Sequence, residues 1–460
     1  MRPYGKAGDK AGTAKLVRKT FLYKPTTTQN DKEEKQVIQK QIQRIRCKAR
    51  EIIAYRRSLC AMRRCQQMQR MPGPIRVVFL TQYIPSWNKV ERIYDTLKNR
   101  ADAEAFIVCV PSDPKSSDLQ NDTYDYFVSH GYDAINARQQ DGTWFDLHQL
   151  HPDAVFHSRP YNAFMPAPYT SSELAKYTNV YQVLYGVCMT YGGIKAVMNF
   201  DFFKDVACFY AENEDGKEFF DRRYKIGVRQ GLQTAQVLGS PVLEYMIQTQ
   251  ADAKDYYPAL RSSFRMMWTP RWSTDLVIGG SNFFRYRDLL MDYAAANPDV
   301  SLLLRPHPLM LNNFIKTGEM TESEVQAFRD RCANASNMAL DERKDYTDQF
   351  WCADVLITDA SAVVFEFFVT GKPIIYCNSE IDFHYLPQIQ EMLTGCYLAD
   401  NAEDVEKYIH MLRSGSDPMR DTRQQLMARL YGSSLSGCSA RICEDLIRRL
   451  NSETEGSPNA

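Results

Sequence analysis

One stretch, residues 351–377, constrains the fold of this 460-residue chain more than any other. Its apolar run at residues 353–357 is typical of a buried parallel strand. A polar turn, Thr358-Asp359-Ala360-Ser361, comes next, and helical spacing of apolar residues then continues until Gly371. A second apolar run occupies residues 374–377. The pattern predicts a strand–turn–helix–strand unit and therefore an α/β fold.

The turn of this unit is a candidate ligand site, because open α/β sheets bind ligands at the carboxyl ends of their strands. The start of a helix adds N–H groups and a positive dipole end that suit a phosphate. We therefore predict that Thr358, Asp359 and Ser361 contact a phosphate-bearing ligand, with capping of the helix as the alternative role for Ser361. Glu366 lies just over one turn further on and either reaches ribose hydroxyls or is solvated.

A second strand end carries a different motif. The strand expected at residues 300–304 runs directly into Arg305-Pro306-His307-Pro308. The two prolines fix the backbone around His307 and remove two hydrogen-bond donors. A histidine held beside an arginine at a strand end is well placed for a phosphate or a leaving group, although a structural histidine is the alternative. We predict that Arg305 and His307 are catalytic.

Together these motifs resemble a known family. The RPHP motif, followed about fifty residues later by DVLITDASAVVFEF and GKPIIYC, looks like the C-terminal half of the CDP-glycerol glycerophosphotransferases. The WTPRW segment at 268–272 is similar to a strand end of that family, which implies that Arg271 contacts the donor. VLGSP at 237–241 is similar to its interdomain turn. The resemblance covers roughly residues 235–380 and implies a GT-B-like enzyme that builds teichoic acids or capsular polymers.

The chain departs from the family pattern at two places. The usual turn Asp-Tyr-Ser-Ser is Asp-Ala-Ser-Ala here, at residues 359–362. Many members also carry a Trp-His-Gly segment whose histidine is the presumed base, whereas this chain has Tyr185-Gly186-Val187 at the corresponding place. His157, at the end of an expected strand, is the candidate substitute. The alternative is an ordinary strand-end histidine.

Charge distribution and a Pro/Gly-rich boundary divide the chain into segments. Residues 1–74 hold 19 Lys and Arg against 5 Asp and Glu, a net charge of +14, and the remainder carries −14. Met71-Pro72-Gly73-Pro74 marks a boundary. The expected segments are a disordered basic tail (1–30), a basic helical segment (31–71), an N-terminal α/β acceptor domain (75–237), a C-terminal α/β nucleotide-donor domain (238–435), a helix packing back on the first domain (436–451) and a tail (452–460).

The basic helical segment 31–71 allows two interpretations. Its isoleucines follow heptad-like spacing, which favours packing on the catalytic body or on a second subunit in a homo-oligomer. Its basic face instead suits an anionic membrane surface or polymer. All the strand-end motifs lie beyond Pro74, so a chain that begins near Met71 is expected to retain its chemistry.

Apolar runs and cysteine spacing indicate in which compartment the protein is expected. No run of about 18 apolar residues occurs, so no membrane span is expected. The twelve cysteines form no CxxC pair, which favours a reducing cytoplasmic compartment and no structural metal. Cytoplasmic residence, in a peripheral position on the inner face of the cell membrane, is therefore expected.

We predict two Rossmann-like domains facing a cleft, preceded by a long basic helix. The expected activity is transfer of a polyol phosphate, foremost glycerol phosphate, from a CDP-linked donor to a glycan or polyol-phosphate polymer. No cofactor, metal or nucleic acid is expected. The alternatives are a sugar-nucleotide glycosyltransferase or epimerase-like enzyme on the same scaffold, and a catalytically degenerate binding or assembly protein. The missing histidine favours the degenerate protein, and the intact RPHP favours the enzymes.

Overall fold

A computed structural model describes residues 29–455, except 116–118, 185–186, 261–262, 277–278 and 344–345. Most of the predicted basic tail and the last five residues lie outside the described residues. The chain divides into two compact units, Met1–Ala54 and Tyr55–Ala460. Within the described residues of the second unit lie two parallel sheets, of seven and six strands.

A long helix, α1 (Gln29–Gln66), opens the described chain. The helices that follow it are α2 (Glu91–Lys98), α3 (Asp122–Ser129), α4 (Ser171–Leu174), α5 (Tyr191–Val197), α6 (Phe200–Phe203), α7 (Glu214–Arg223), α8 (Lys225–Arg229), α9 (Pro241–Gln248), α10 (Phe283–Ala296), α11 (Met310–Thr317), α12 (Glu322–Asn334), α13 (Thr347–Cys352), α14 (Val363–Phe368), α15 (Pro387–Leu393), α16 (Ala402–Arg413), α17 (Arg420–Tyr431) and α18 (Cys438–Glu455). Among the helices in the described ranges, none is both long and apolar enough to cross a bilayer.

The N-terminal sheet has the strand order β3-β2-β1-β4-β5-β6-β7. Its strands are β1 (Ile75–Thr81), β2 (Ala103–Cys109), β3 (Ala134–Asn136), β4 (Ala154–His157), β5 (Asn179–Val183), β6 (Val206–Ala211) and β7 (Thr234–Val237). The central strands are apolar and buried on both faces, as parallel strands covered by helices must be. Parallel pairing places the carboxyl ends of all these strands at one edge of the sheet.

The C-terminal sheet has the order β10-β9-β8-β11-β12-β13. Its strands are β8 (Phe264–Thr269), β9 (Val300–Leu304), β10 (Met338–Leu340), β11 (Val355–Thr358), β12 (Ile374–Cys377) and β13 (Tyr397–Ala399). Trp268 pairs with Leu304 and Thr269 pairs with Thr358, so the segments after β8, β9 and β11 leave the sheet side by side. Three motifs that are far apart in sequence therefore meet at one edge.

The two ends of the second unit pack against the N-terminal sheet. In α18, Ile442, Leu446 and Leu450 belong to the same buried cluster as Ile75 and Phe79 of β1. The last turns of α1, from Tyr55 onward, are part of this unit as well, through the buried side chains Tyr55, Leu59 and Met62.

Hydrogen bonds fix that part of α1 in place. The Tyr55 hydroxyl lies 2.7 Å from Gln233 Oε1 and accepts a hydrogen bond from the Gly227 N–H, and the Ser58 hydroxyl donates to the Lys204 carbonyl. The expectation that a chain beginning near Met71 keeps its chemistry stays a prediction, and these contacts favour an earlier boundary. Removing residues 55–66 strips buried contacts from the catalytic unit, and the acceptable starting point is Tyr55.

The predicted α/β fold of two Rossmann-like sheets preceded by a long basic helix is confirmed. One local prediction shifts. The strand expected at 353–357 begins at Val355, because α13 occupies the residues up to Cys352. Between β1 and α2, Ile84–Lys89 forms a 3₁₀ helix with Pro85 in its first turn.

Candidate active site

A cleft of about 620 Å³ lies between the strand ends of the two sheets. Its N-terminal wall consists of residues 82–85 after β1, Ser112, Asp122, residues 187–190 after β5, Gly193 and Val197. Its C-terminal wall consists of residues 269–272 after β8, 305–308 after β9, Glu342, Arg343, Tyr346, residues 360–363 after β11, Glu366, Phe383 and Tyr385. The cleft occupies the place where open α/β sheets hold their ligands.

Arg305 is an anchored cation in the C-terminal wall. Its Nη1 donates a hydrogen bond to Oδ2 of the fully buried Asp341 at 2.9 Å, and its Nη2 donates to the Arg343 carbonyl at 2.9 Å. The guanidinium also lies over the ring of Tyr346, 4.6 Å from the centroid. A guanidinium has five N–H donors in a fixed fork, so Arg305 keeps donor capacity for an anion while two of its nitrogens hold it still.

His307 lines the same wall and is held in one tautomer. The Leu309 N–H donates to Nδ1 at 3.2 Å, which makes Nδ1 an acceptor and assigns the ring proton to Nε2. Burial, together with the charges of Arg271 and Arg305, lowers the pKa of His307 to about 4. At neutral pH the ring is uncharged and offers an Nε2–H donor. A bound anion between the two arginines would raise this pKa.

Arg271 completes the positive charge of the wall. Its backbone N–H donates to Asp359 Oδ2 at 2.9 Å, and its Nη1 donates to the Ala360 carbonyl. The guanidinium lies 5.4 Å from the centroid of the Phe383 ring. Burial lowers the pKa of Arg271, although its ordinary value is so high that the group stays charged. The structure thus brings together Arg271, Arg305 and His307, three of the predicted site residues.

Thr358 and Asp359 hold the strand ends together and do not line the cleft. Asp359 Oδ2 accepts from the backbone N–H of Arg271, and its Oδ1 accepts from Nδ2 of Asn282 at 2.9 Å. Burial raises the pKa of Asp359 to about 6 in spite of these bonds. The Thr269 hydroxyl donates to the fully buried Thr358 hydroxyl at 2.7 Å. The prediction that these two side chains contact the donor is not supported, because their polar atoms are used between strands.

Ser361 does line the cleft and is partly buried. It does not cap α14, because the N-cap position belongs to Ala362 and carries no side-chain hydrogen bond. The capping interpretation is therefore wrong. A contact between Ser361 and a phosphate stays a prediction.

Glu366 is buried, and both of its carboxylate oxygens contact other protein side chains. Only 2% of the residue is exposed, and its Oε1 lies 2.5 Å from Nζ of the equally buried Lys89. The Tyr346 hydroxyl donates to Oε2 at 2.7 Å. Lys89 belongs to the 3₁₀ helix after β1, so this ion pair joins the two walls. The role of Glu366 in ribose binding stays a prediction, but both of its oxygens already have partners in the protein.

Glu212, directly after β6, is a titratable neighbour of this ion pair. Burial raises the pKa of its carboxyl to about 8, the charge of Lys89 opposes the shift, and the charge of Glu366 adds to it. Sequence reasoning missed both Lys89 and Glu212. Neither lies in a recognisable motif, because each is one charged residue following an apolar strand.

His157 does not belong to the cleft. It is 1% exposed, packs edge-on against Phe202 at 5.0 Å between ring centroids, and finds no hydrogen-bond partner for either ring nitrogen among the described residues. Burial lowers the pKa of His157 to about 3. The prediction that His157 replaces the missing base is not supported, because a ring buried inside the sheet cannot reach an acceptor hydroxyl. Of the Tyr185-Gly186-Val187 segment, the first two residues lie outside the described residues, and Val187 lines the cleft.

Two parallel sheets with facing strand ends define a GT-B-like fold, and solved structures share this fold. Staphylococcus aureus MnaA in complex with UDP has a TM-score of 0.55 at 12% identity, covering 84% of this chain and 99% of that chain. UDP-GlcNAc 2-epimerase from Neisseria meningitidis gives 0.53 at 12%, covering 81% and 100%. A single-residue variant of the wall teichoic acid polymerase TagF gives 0.54 at 12%, covering 90% and 99%. At such identities the likeness shows the fold alone.

Sequence identifies the family within that class. Residues 200–443, more than half of the chain, match the family described as CDP-Glycerol:Poly(glycerophosphate) glycerophosphotransferase. The chain therefore belongs to the CDP-glycerol glycerophosphotransferase family. No curated protein shows significant sequence similarity to it.

Proposed function

We propose that this enzyme transfers glycerol phosphate from CDP-glycerol to a hydroxyl group of a glycan or polyol-phosphate polymer. The observation that carries the proposal is the convergence of Arg271, Arg305 and the neutral His307 on one wall of the cleft. These groups would supply positive charge and a directed N–H donor to a pyrophosphate. TagF, which shares the fold, has been studied with a ligand abbreviated CDPG.

The proposed reaction makes one bond to phosphorus and breaks another. The acceptor oxygen attacks the phosphorus that carries the glycerol, and the bond from that phosphorus to the oxygen of CMP breaks. Negative charge then grows on the departing CMP phosphate. Arg305 and Arg271 neutralise that charge, and the Nε2–H of His307 donates to the leaving oxygen, so the wall stabilises the transition state by preorganised electrostatics.

The proton of the acceptor hydroxyl needs a base on the opposite wall. Among the described residues that line the N-terminal wall, Asp122 is the single carboxylate. It begins α3, and its Oδ1 accepts a hydrogen bond from the Ser112 N–H at 2.9 Å. We assign the role of base to Asp122 in place of His157. An Asp122→Asn variant should lose turnover while it binds CDP-glycerol normally, and undiminished transfer would reject the assignment.

The location of the enzyme also belongs to the proposal. In the first unit, Ile38, Ile42, Ile45, Ile52 and Ile53 of α1 are between 44% and 67% exposed amid basic residues. We propose that this segment rests on an anionic surface at the cytoplasmic face of the membrane, where a polymer acceptor would be assembled. Binding to vesicles containing anionic lipid should then fall steeply with salt. Salt-independent self-association would favour the homo-oligomer instead.

The donor is tested most simply by thermal stabilisation. CDP-glycerol, CDP-ribitol and UDP-N-acetylglucosamine would each be added to the full chain at rising concentration. A ligand present at about 100 times its Kd should raise the free energy of unfolding by about 2.7 kcal/mol. We expect CDP-glycerol to stabilise most. Stabilisation by the UDP-sugar alone would contradict the proposal and favour an epimerase-like enzyme.

A further inference from the structure

A second cavity, of about 190 Å³, lies beside the main cleft. Ile84, Pro85 and Tyr346 line both cavities, so these three residues form the partition between them. The second cavity is lined by the 3₁₀ helix and α2 on one side, by the end of α3 on another, and by Tyr245 of α9. A ligand that extends past the partition would occupy both cavities at once.

Aromatic rings fixed by hydrogen bonds form much of the wall of this second cavity. Trp87 and Tyr132 meet edge to face at 5.5 Å, and the Trp87 Nε1–H donates to the Tyr132 hydroxyl at 3.1 Å. That hydroxyl donates in turn to Glu91 Oε1 at 2.6 Å. Tyr126 and Tyr245 supply further rings. Flat apolar faces with polar groups at their edges suit the C–H faces and hydroxyl rims of sugars and polyols.

Asn88 gives an independent sign that a ligand belongs there. It lines the cavity, is 9% exposed, and its Oδ1 has no hydrogen-bond partner in the described structure. A buried amide oxygen without a donor is costly, and native proteins pair nearly all such atoms. An unpaired acceptor at the wall of a cavity is accounted for by a ligand that brings the donor.

The other polar groups of the cavity define what kind of ligand fits. Glu91 contributes a carboxylate. His130 Nδ1 donates to the Tyr126 carbonyl at 2.7 Å, which in the uncharged tautomer makes Nε2 the acceptor. Acceptors therefore dominate, and the carboxylate repels a phosphate. A neutral unit with several hydroxyl donors suits the unpartnered Asn88 Oδ1 and the acceptors beside it.

We propose that this cavity binds one uncharged, hydroxyl-rich unit of the acceptor, a sugar ring or a polyol, with Asn88 Oδ1 accepting one of its hydroxyl protons. The proposal rests on the proposed transfer function, because the acceptor must reach the reaction cleft past Ile84 and Pro85. It assigns the second cavity to acceptor recognition and the positive wall of the cleft to the donor.

The test substitutes Asn88 by leucine, which has the same branched side-chain shape and no acceptor. The matched control is Asn313→Leu on α11, because Asn313 also carries an unpartnered amide atom and lines neither cavity. Saturation-transfer NMR would follow glycerol, ribitol, methyl N-acetylglucosaminide and choline. We expect a signal for a polyol or the glycoside that weakens about tenfold in Asn88→Leu and stays unchanged in Asn313→Leu. In turnover, the acceptor KM should rise by the same factor while the donor KM does not.

Each other outcome is informative. Equal polyol binding by wild type and Asn88→Leu would overturn the proposal, as would binding of choline without any polyol, which would make the cavity a cation site. If Asn88→Leu does not fold, His130→Ala at the exposed rim carries the same test. The proposed function has its own readout in CDP-glycerol stabilisation. Asn88→Leu could lose polyol binding while CDP-glycerol fails to stabilise the wild type. That result would reject CDP-glycerol as the donor but retain the second cavity as a polyol site.

Discussion

The two walls of the cleft are built from the same kind of sheet edge, yet they differ in charge. The C-terminal wall carries the guanidiniums of Arg271, Arg305 and Arg343 against the carboxylates of Glu342 and Glu366, of which Glu366 is paired with Lys89. It also carries an uncharged histidine with a directed Nε2–H. The N-terminal wall is mostly apolar or hydroxyl-bearing, with one carboxylate, Asp122, among its described residues. A dianionic pyrophosphate is attracted to the first wall and a neutral hydroxyl is tolerated at the second. Under the proposed function, this difference in charge would separate the donor from the acceptor.

Two histidines at strand ends, one in each sheet, differ in their access to the cleft. Both have a pKa well below the ordinary value of 6.5, and in both the first cause is burial. His307 keeps one edge at the cleft and its Nδ1 is fixed by a backbone N–H, whereas His157 lies inside the sheet with both nitrogens unpartnered. A low pKa alone does not mark a functional histidine. What distinguishes His307 from His157 is the hydrogen bond that fixes its tautomer, together with its access to the cleft.

The largest effect is expected at the ion pair that joins the walls. Lys89→Met should destabilise the protein by about 3–5 kcal/mol, because Glu366 is left as a buried charge without its partner. Chemical denaturation measures this directly. The double variant Lys89→Met with Glu366→Gln should recover much of the loss. A single variant that costs less than about 1 kcal/mol would mean that the walls are held together elsewhere, for example by the Leu386 N–H donating to the Met189 carbonyl.

The residues of the C-terminal wall could be predicted from the sequence and those of the N-terminal wall could not, for a physical reason. Arg271, Arg305 and Ser361 each lie within three residues of the end of a buried strand, inside short segments whose apolar runs and prolines are visible in one sequence. The N-terminal wall is assembled from short pieces after β1, β2 and β5, and its important groups depend on packing. Nothing local distinguishes Lys89 from a surface lysine, and His157 follows a strand as His307 does. The sheet order was likewise beyond reach, because strand neighbours are chosen by long-range packing.

A medium effect is expected at Ser361, and it sharpens the assignment of the donor to the C-terminal wall. Ser361→Ala should weaken CDP-glycerol binding by roughly 1.5–3 kcal/mol through loss of one hydrogen bond to a charged group. The unfolding midpoint should barely move, because the hydroxyl does not cap α14. Calorimetric titration of the donor makes the measurement. Equal affinities of the variant and wild type would remove Ser361 from the site.

The smallest effect is expected at His157, where a substitution tests whether this buried histidine has any role in turnover. His157→Leu should keep turnover close to wild type. At about pH 7.5 its stability should be similar or slightly higher, since two unpartnered buried nitrogens are removed. The folded pKa of about 3 lies below the ordinary 6.5, so the unfolded wild type binds a proton first. Wild type should therefore lose stability as pH falls from 6.5 towards 3, and the variant should lose less. A large loss of turnover would return His157 to the site.

The most direct test of the account is the split between turnover and donor affinity in His307→Ala. The proposed role of the His307 Nε2–H is to donate a hydrogen bond to charge that develops in the transition state. Its removal should therefore lower kcat by at least about a hundredfold, roughly 2.7 kcal/mol. The Kd for CDP-glycerol should change only modestly, and His157→Leu serves as the matched histidine control. If the folded His307→Ala protein transfers glycerol phosphate at nearly the wild-type rate, His307 is part of the scaffold and the C-terminal wall does not perform the chemistry assigned to it.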